Sequence, residues 1–514
     1  MGIRDHLVLF LNGNRHEVTG SDCFLSLSDF IRYRLGLTGT KIVCSEGDCG
    51  SCTVLVGKPQ GMAFEYLPID SCIRQMFQLD GMHVVTVEGI GGLNDRSNAN
   101  GPGEHHAPHL TAVQQAMVEC HGSQCGFCTP GFVMAMHGVC ETINGHAPSE
   151  EDWRHSLTGN LCRCTGYTTI LKAGLKAVAE GTTKLNDLYP SAAILNELSP
   201  LRGGTLDLQC TVDSVQRRAY CPTTIAEAVA FRRDHPQAKV VAGATDVGVQ
   251  LNKRVIAPAV FLDLNRVAEL ENIEVKQSSN GIQQIISGAR ATWTQLLELC
   301  RTEAPEFAEI VSVFGSPQIR HVGTIGGNII NASPIADSLP FLFVMEAELE
   351  LAGPSGRRSV NINNFYHGYK KFDLRPDELL VRVRIPLPKL RHPHPSPFPK
   401  GEGEEILRLY KVSRRRDLDI STFTAAIRLE LAGDTISHAA LAYGAVGPIV
   451  LRLRKTEQFL QGRAFTAETM EAAGDIVVAE ITPISDVRGS QDYRLQLARN
   501  VLLKFYHERE LATV

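Results

Sequence analysis

Eight of the fourteen cysteines in this 514-residue chain fall into two sets of four near its N-terminal end. In the first, CSEGDCGSC places Cys44, Cys49 and Cys52 at Cys-x4-Cys-x2-Cys spacing, with nineteen residues separating Cys52 from Cys72. Four thiolates at that spacing hold a [2Fe–2S] cluster. Gly47 and Gly50 permit the tight turn this needs and let backbone N–H groups face the sulfurs. The second set is Cys125 and Cys128 in GSQCGFCTPG with Cys162 and Cys164 in GNLCRCTGY. Taken alone, Cys-x2-Cys with Cys-x-Cys also fits a tetrahedral zinc site, and by spacing zinc is the better assignment. Cys120 repeats the first set's spacing with Cys125 and Cys128, but it ends a helical apolar face and reads as core. Cys23, Cys140, Cys210, Cys221 and Cys300 have no partner at ligand spacing and read as buried apolar residues.

The elements that must position these cysteines follow from the local pattern. Leu7 to Leu11 is a short apolar strand followed by Asn12-Gly13, a strong hairpin signal. Ser28 is expected to cap a short helix carrying Phe30, Ile31 and Leu35 and stopped by Gly36. Thr53 to Val56 and Val84 to Val87 read as strands. This is a small α+β domain of about 90 residues holding the first set. From Thr111 the period becomes helical. Thr111 and Gln114 form a capping box, Thr129-Pro130 opens a second helix, Ser149 a third around Trp153 and Leu157, and Thr169 a fourth with Leu171, Leu175 and Val178.

Beyond Cys221, short strands and helices alternate. Lys239 to Gly248 (KVVAGATDVG) is a strand entering a glycine-rich turn. Phe314 to Asp337 is dense in Gly, Asn and Ser, too polar for a core and long enough to wrap a ligand. The expected organisation is residues 1–90, an all-helical domain 91–185, a linker 186–213, a third domain 214–395, and a C-terminal α+β domain 396–514. Gly91 to His109 reads as a linker or surface loop; its Gly- and His-rich part, Asn94 to His109, has no assigned role, and His105 and His106 read as a solvated pair.

Composition narrows the class. With 43% hydrophobic and 21% charged residues and a net charge of −5, the chain reads as ordinary, soluble and globular, with no basic surface for nucleic acid. No apolar run reaches a membrane span, and the five-residue run at Leu7 is too short for a signal peptide, so the cytoplasm is the expected compartment. There closely spaced cysteines are metal ligands more often than disulfides. No Gly-x-Gly-x-x-Gly or P-loop occurs, so neither a Rossmann site nor an NTPase is supported.

CSEGDCGSC, GSQCGFCTPG and GNLCRCTGY together resemble the iron–sulfur portion of the molybdenum hydroxylases, and VVAGATDVG with GTIGGNIINASPIAD resembles the FAD domain of that family. Both portions in one chain resemble the small subunit of bacterial xanthine dehydrogenases. The resemblance implies a multidomain α+β protein: a β-grasp 2Fe-2S ferredoxin domain, a four-helix 2Fe-2S domain, an FAD domain of the vanillyl-alcohol-oxidase type and a C-terminal α+β domain.

It further implies that Cys44, Cys49, Cys52 and Cys72 ligate the flavin-proximal cluster and Cys125, Cys128, Cys162 and Cys164 the other. Gln124 then faces the molybdenum cofactor of a partner chain. Val240, Val241, Ala242, Gly243, Ala244, Thr245, Asp246 and Val247 line the FAD diphosphate and ribityl chain, with further contacts from Phe314, Thr324, Gly327, Asn328, Asp337, Leu380 and Lys411. A glycine-rich turn can bind a diphosphate through backbone amides without formal charge.

The implied activity is electron transfer from a molybdenum-binding large subunit, in a dimer of heterodimers, through two 2Fe-2S clusters and FAD to NAD+, as in xanthine dehydrogenase. No catalytic residue is assigned to this chain itself. The basic run Arg414 to Arg416 after Lys411 reads equally as a nucleotide-facing charge or a solvated strand end. Alternatives are the same relay in an aldehyde, nicotinate or aromatic acyl-CoA hydroxylase, or a non-redox zinc scaffold.

Overall fold

Leu7–Leu11 is buried at every position, and its side chains leave to opposite sides. Leu7, Leu9 and Leu11 enter one apolar core, while Val8 and Phe10 enter another. This strand therefore reads as an unbroken apolar run and not as an alternating one. In the computed structural model, which describes residues 2–91, 110–143, 147–212, 214–278, 280–387 and 404–512, the chain divides into two units. The first comprises Met1–Ala268 with Gly315–Gly323, and the second Glu269–Phe314 with Thr324–Val514. The loop 94–109 with His105 and His106, and most of the stretch Pro386 to Pro399, lie outside the described residues.

In the first unit, Leu7–Leu11 pairs antiparallel with Asn14–Val18 and parallel with His83–Val85. Thr53–Gln60 and Ala63–Asp70 complete a five-stranded mixed sheet, as a β-grasp domain requires. Asn12 and Gly13 both take positive φ, 49° and 78°, in the hairpin turn. The short helix begins at Leu27, capped by Ser26 and not by Ser28: the Ser26 hydroxyl accepts the Asp29 N–H at 3.1 Å.

Four helices follow, Ala112–Glu119, Thr129–Thr142, Glu150–Ser156 and Thr168–Glu180. Thr111 and Gln114 cap the first reciprocally, and Ser149 and Asp152 the third. The helices share a core with Val8, Phe10, Leu55 and Tyr66 of the sheet, centred on the buried Trp153. Leu175, expected on the inward face of the fourth helix, is exposed. The inward face carries Ile170, Ala173, Gly174 and Ala177, because the Trp153 indole lies where a side chain on Gly174 would stand.

Residues 186–213, which show no period in sequence, carry the helices Leu185–Leu188 and Ser191–Leu198 and the strand Leu206–Val212. That strand opens a four-stranded sheet with Val215–Cys221, Val260–Asp263 and Lys239–Val241, whose last two pairings are parallel.

The second unit holds an antiparallel five-stranded sheet in the order Ile273–Gln277, Gln283–Gly288, Leu379–Pro386, Glu348–Gly353, Gly356–Asn361. It also holds an antiparallel four-stranded sheet of Glu404–Val412, Phe423–Ala432, Thr435–Gly444 and Leu451–Arg452. Ala425, Ile427 and Leu429 pack under the helices Ala467–Glu480 and Gln491–Ala512, while Ala426 and Leu407 join the larger core on the opposite face. Among the described residues no helix is long and apolar enough to cross a membrane.

Candidate iron–sulfur and flavin sites

The Cys44–Cys52 loop is shaped by three residues in left-handed backbone, Ser45 (φ 55°), Gly47 (70°) and Gly50 (66°). They fold its N–H groups inward, and the Glu46 N–H lies 3.3 Å from the Cys44 sulfur. The Cys49 and Cys72 thiols also approach Cys44 and hold it well below the usual thiol range, while the same contact pushes Cys49 and Cys72 up. Cys52 in turn meets Cys72. The four sulfurs of the first set thus neighbour one another through Cys44 and Cys72, with Cys52, Cys72 and Ile73 buried together.

In the second set Cys128 pairs with Cys162, and Cys125 with Cys164. Burial and the Cys162 neighbour push the Cys128 thiol up to about 12. Among the described residues no three His, Cys, Asp or Glu side chains form a group that could hold a single metal ion. In the second set the thiols lie in two pairs, and two thiolates per iron is what a two-iron cluster asks of its ligands. Four thiols in each set have the donor chemistry that a [2Fe–2S] cluster takes.

Cys125, Cys164 and Gln124 are exposed, whereas Cys162 is buried and held from behind. Its N–H donates to the Tyr167 hydroxyl at 3.0 Å, and Thr165 donates to its sulfur at 3.2 Å. Tyr167 takes φ 71°, a strained position for a residue with a side chain. Cys120 ends the helix Ala112–Glu119 and packs against the shared core, away from any ligand role. Cys23, Cys140, Cys221 and Cys300 are buried, and Cys210 is partly so.

The two sets are joined by contacts that spacing alone does not reveal. The Leu161 N–H donates to the Cys49 carbonyl at 3.0 Å, and Asn160 Nδ2 to the Gly50 carbonyl at 3.0 Å. A Cβ on Gly50 would overlap the Gly159 carbonyl, and one on Gly131 would overlap that of Gly50. Gln318 Nε2 donates to Asn160 Oδ1 at 2.8 Å. Asp70, whose carboxyl burial raises to about 7, lies beside the Cys52 sulfur at 3.7 Å.

The expected flavin contacts are distributed over both units. In the first, Lys239–Val241 ends in a turn where Ala244 takes φ 61° and a Cβ on Gly243 would overlap the Val322 carbonyl. Gln78 and Asn265 each donate to the Ala242 carbonyl at 2.8 Å, fixing that peptide. Val240, Thr245 and Val247 are half-buried, Val241 is buried, and Asp246 is exposed.

In the second unit, Lys411 Nζ donates to Asp337 Oδ2 at 2.7 Å, to the Ser421 hydroxyl at 2.6 Å and to the Asp419 carbonyl at 2.9 Å. Thr324 caps Ile325–Asn331 by accepting the Gly327 N–H, and Asn328 accepts from Ser338 at 2.6 Å. Phe314 meets Trp293 edge-on at 4.9 Å, and Leu380 is buried in the core. The glycine-rich turn at 242–248, whose one charged side chain is the exposed Asp246, offers backbone amides of the kind that can cradle a diphosphate.

Residues 98–175 match the [2Fe-2S] binding domain, residues 213–388 the FAD binding domain in molybdopterin dehydrogenase, and residues 408–509 the CO dehydrogenase flavoprotein C-terminal domain. The chain belongs to the molybdenum hydroxylase family. It carries the 2Fe-2S and FAD domains, the electron-transfer part of these oxidoreductases. Xanthine dehydrogenase 1 of Arabidopsis thaliana is 28% identical over 97% of this chain and 39% of its own length. The xanthine dehydrogenase/oxidase of Gallus gallus is 29% identical over 98% and 40%. The chain thus spans about two fifths of the length of the curated relatives it matches. Among solved structures, carbon monoxide dehydrogenase from Hydrogenophaga pseudoflava aligns with TM-score 0.51 and 28% identity, over 58% of this chain and 98% of that one. The chain has the expected multidomain architecture of mixed helices and sheets, with a 2Fe-2S domain, an FAD-binding domain and a C-terminal domain.

Proposed function

We propose that the chain is the electron-transfer subunit of a xanthine-dehydrogenase-type enzyme, taking electrons from a molybdenum site on a partner chain and delivering them to NAD+. The pairing of the eight thiols into two four-membered sets within one unit carries this reading. Cys125, Cys128, Cys162 and Cys164 hold the cluster on the partner side; Cys44, Cys49, Cys52 and Cys72 hold the flavin-side one. FAD contacts are assigned to Val240–Val247 in the first unit and to Phe314, Thr324, Gly327, Asn328, Asp337, Leu380 and Lys411 in the second. Held by these residues, clusters would supply one-electron transfer and a flavin would supply two-electron hydride chemistry.

The residues around Gln124 fit an interface role. Gln124, Cys125 and Cys164 are exposed, Phe127 is half exposed, and a cavity of about 320 Å³ lined by Phe132, Arg154, Leu161 and Tyr167 flanks the Cys162–Cys164 turn. Apolar surface beside exposed ligands suits a subunit contact. We assign the partner as the molybdenum-binding large subunit, the assembly as a dimer of heterodimers, and the compartment as the cytoplasm.

The test is an iron and flavin analysis with a visible spectrum. About four irons and one FAD per chain support the reading, and zinc without iron would overturn it. Reduction of the flavin by NADH alone tests the acceptor, and purine turnover by the co-purified complex tests the substrate. The alignment with carbon monoxide dehydrogenase, at an identity equal to that with the Arabidopsis relative, favours a second reading: the same relay serving another molybdenum hydroxylase. Turnover of an aldehyde or heteroaromatic substrate in place of purine would establish it.

A further inference from the structure

We propose that Asn160 and Gln318 are positioning residues that set the reduction potentials of both iron–sulfur centres together; this rests on the two-cluster reading above. Neither residue is a ligand, and both are buried, at 2% and 0% exposure. Asn160 donates to the Gly50 carbonyl at 3.0 Å and to Thr53 Oγ1 at 3.3 Å. Gln318 donates to Asn160 Oδ1 at 2.8 Å and to Thr53 Oγ1 at 3.3 Å. Thr53 itself reaches the Gly50 carbonyl through its hydroxyl at 2.6 Å and its N–H at 3.0 Å.

The Gly50 carbonyl therefore has three donors directed at it, and the geometry of a planar trans peptide gives that grip a consequence. With the oxygen of the Gly50–Ser51 peptide held on the Asn160 side, its N–H must point the opposite way, and there it meets the Cys49 sulfur. A bond from N–H to a ligand sulfur stabilises the reduced, more negative cluster and raises its potential. Asn160 thus acts on the first centre through Ser51 N–H. It acts on the second because it stands two residues before Cys162, and the next residue, Leu161, donates to the Cys49 carbonyl. Gln318 fixes the orientation of the Asn160 amide by occupying its oxygen. Glycine at 159 leaves room for this, since a Cβ there would overlap Gln318 Oε1.

The test is a dye-mediated redox titration of the full complex followed by electron paramagnetic resonance, with iron content measured on the same samples. Gln318→Met keeps the side-chain volume and removes the hydrogen bonds. The expected result is unchanged iron with both midpoint potentials displaced, the first centre's to more negative values. Full iron with either potential unmoved overturns the inference. If Gln318→Met loses iron, Thr53→Val is read by the same two criteria, since valine suits the strand and removes only the hydroxyl. An unaltered chain without iron would instead overturn the two-cluster reading, so the two failures are distinct.

Discussion

Lys411 and Asp337 form a 2.7 Å ion pair in which the two side chains are only 4% and 10% exposed. Ser421 bonds both, to Lys411 Nζ at 2.6 Å and to Asp337 Oδ1 at 2.5 Å. A charge buried this deeply is tolerated only while its partner remains. Asp337→Ala is expected to destabilise the second unit by ~3–5 kcal/mol, because it strands the ammonium. Adding Lys411→Met should recover most of that loss. Urea unfolding of the single and double variants measures both, and equal stability of Asp337→Ala and the double variant would contradict the pair's role.

Gly50 is closed on two sides by backbone. Gly50→Ala is expected to open the contact with Gly159 and Gly131 and to lose the first cluster, lowering iron from about four to about two per chain. Retention of all iron would show that the loop can yield without releasing its ligands. Iron determination and the cluster absorbance report the outcome.

Tyr167→Phe removes only the acceptor of the Cys162 N–H. Leaving a backbone donor without its partner costs ~1–3 kcal/mol, concentrated at the second set. The second centre's resonance signal is expected to broaden or shift while the first centre's stays fixed. A change confined to the first centre would be incompatible with this geometry.

His83 makes stability depend on acidity. Burial lowers its imidazole from 6.5 to about 3. The Gly13 N–H donates to Nε2 at 3.1 Å, so the ring proton sits on Nδ1 and is shared with Tyr66 at 2.6 Å. A folded-state pKa below the unfolded one means the unfolded chain takes up the proton first. The stabilisation is complete above pH 6.5 and is lost as pH falls toward 3, by up to ~1.4 kcal/mol per pH unit. His321, likewise lowered by burial to about 3, adds to the same window. Unfolding midpoints between pH 7 and 5 should fall less steeply in His83→Gln than in the unaltered chain.

The Asn12-Gly13 turn and the caps at Thr111 and Ser149 are local signals, and each appears in the structure where its chemistry puts it. The first helix shows the limit of such reading: Ser26 and Ser28 are equivalent in sequence, and only the first places its hydroxyl on the Asp29 N–H. Leu175 misleads for another reason, since Trp153, more than twenty residues away, decides which face of the helix must be small. Asn160 and Gln318 carry no period or motif spacing of their own. They acquire meaning only when the chain returns 158 residues later to the Gly50 turn. Asp337 and Lys411 are legible only through family resemblance, and Ser421, which bonds both, is not legible at all, because a serine after a polar loop has no signature.

The doubly buried strand Leu7–Leu11 bears on how the chain can be made. Leu206, Leu208, Ala219 and Phe261, which help cover Leu7, Leu9 and Leu11, are synthesised about two hundred positions or more after the strand they cover. Until then that side is covered only in part, by residues such as Phe24, Leu27 and Phe77. A nascent or truncated chain ending before Leu206 would present this apolar surface to its neighbours. Carrying the flavin-binding segment on the same polypeptide supplies the missing cover within one molecule, without a search for a second chain.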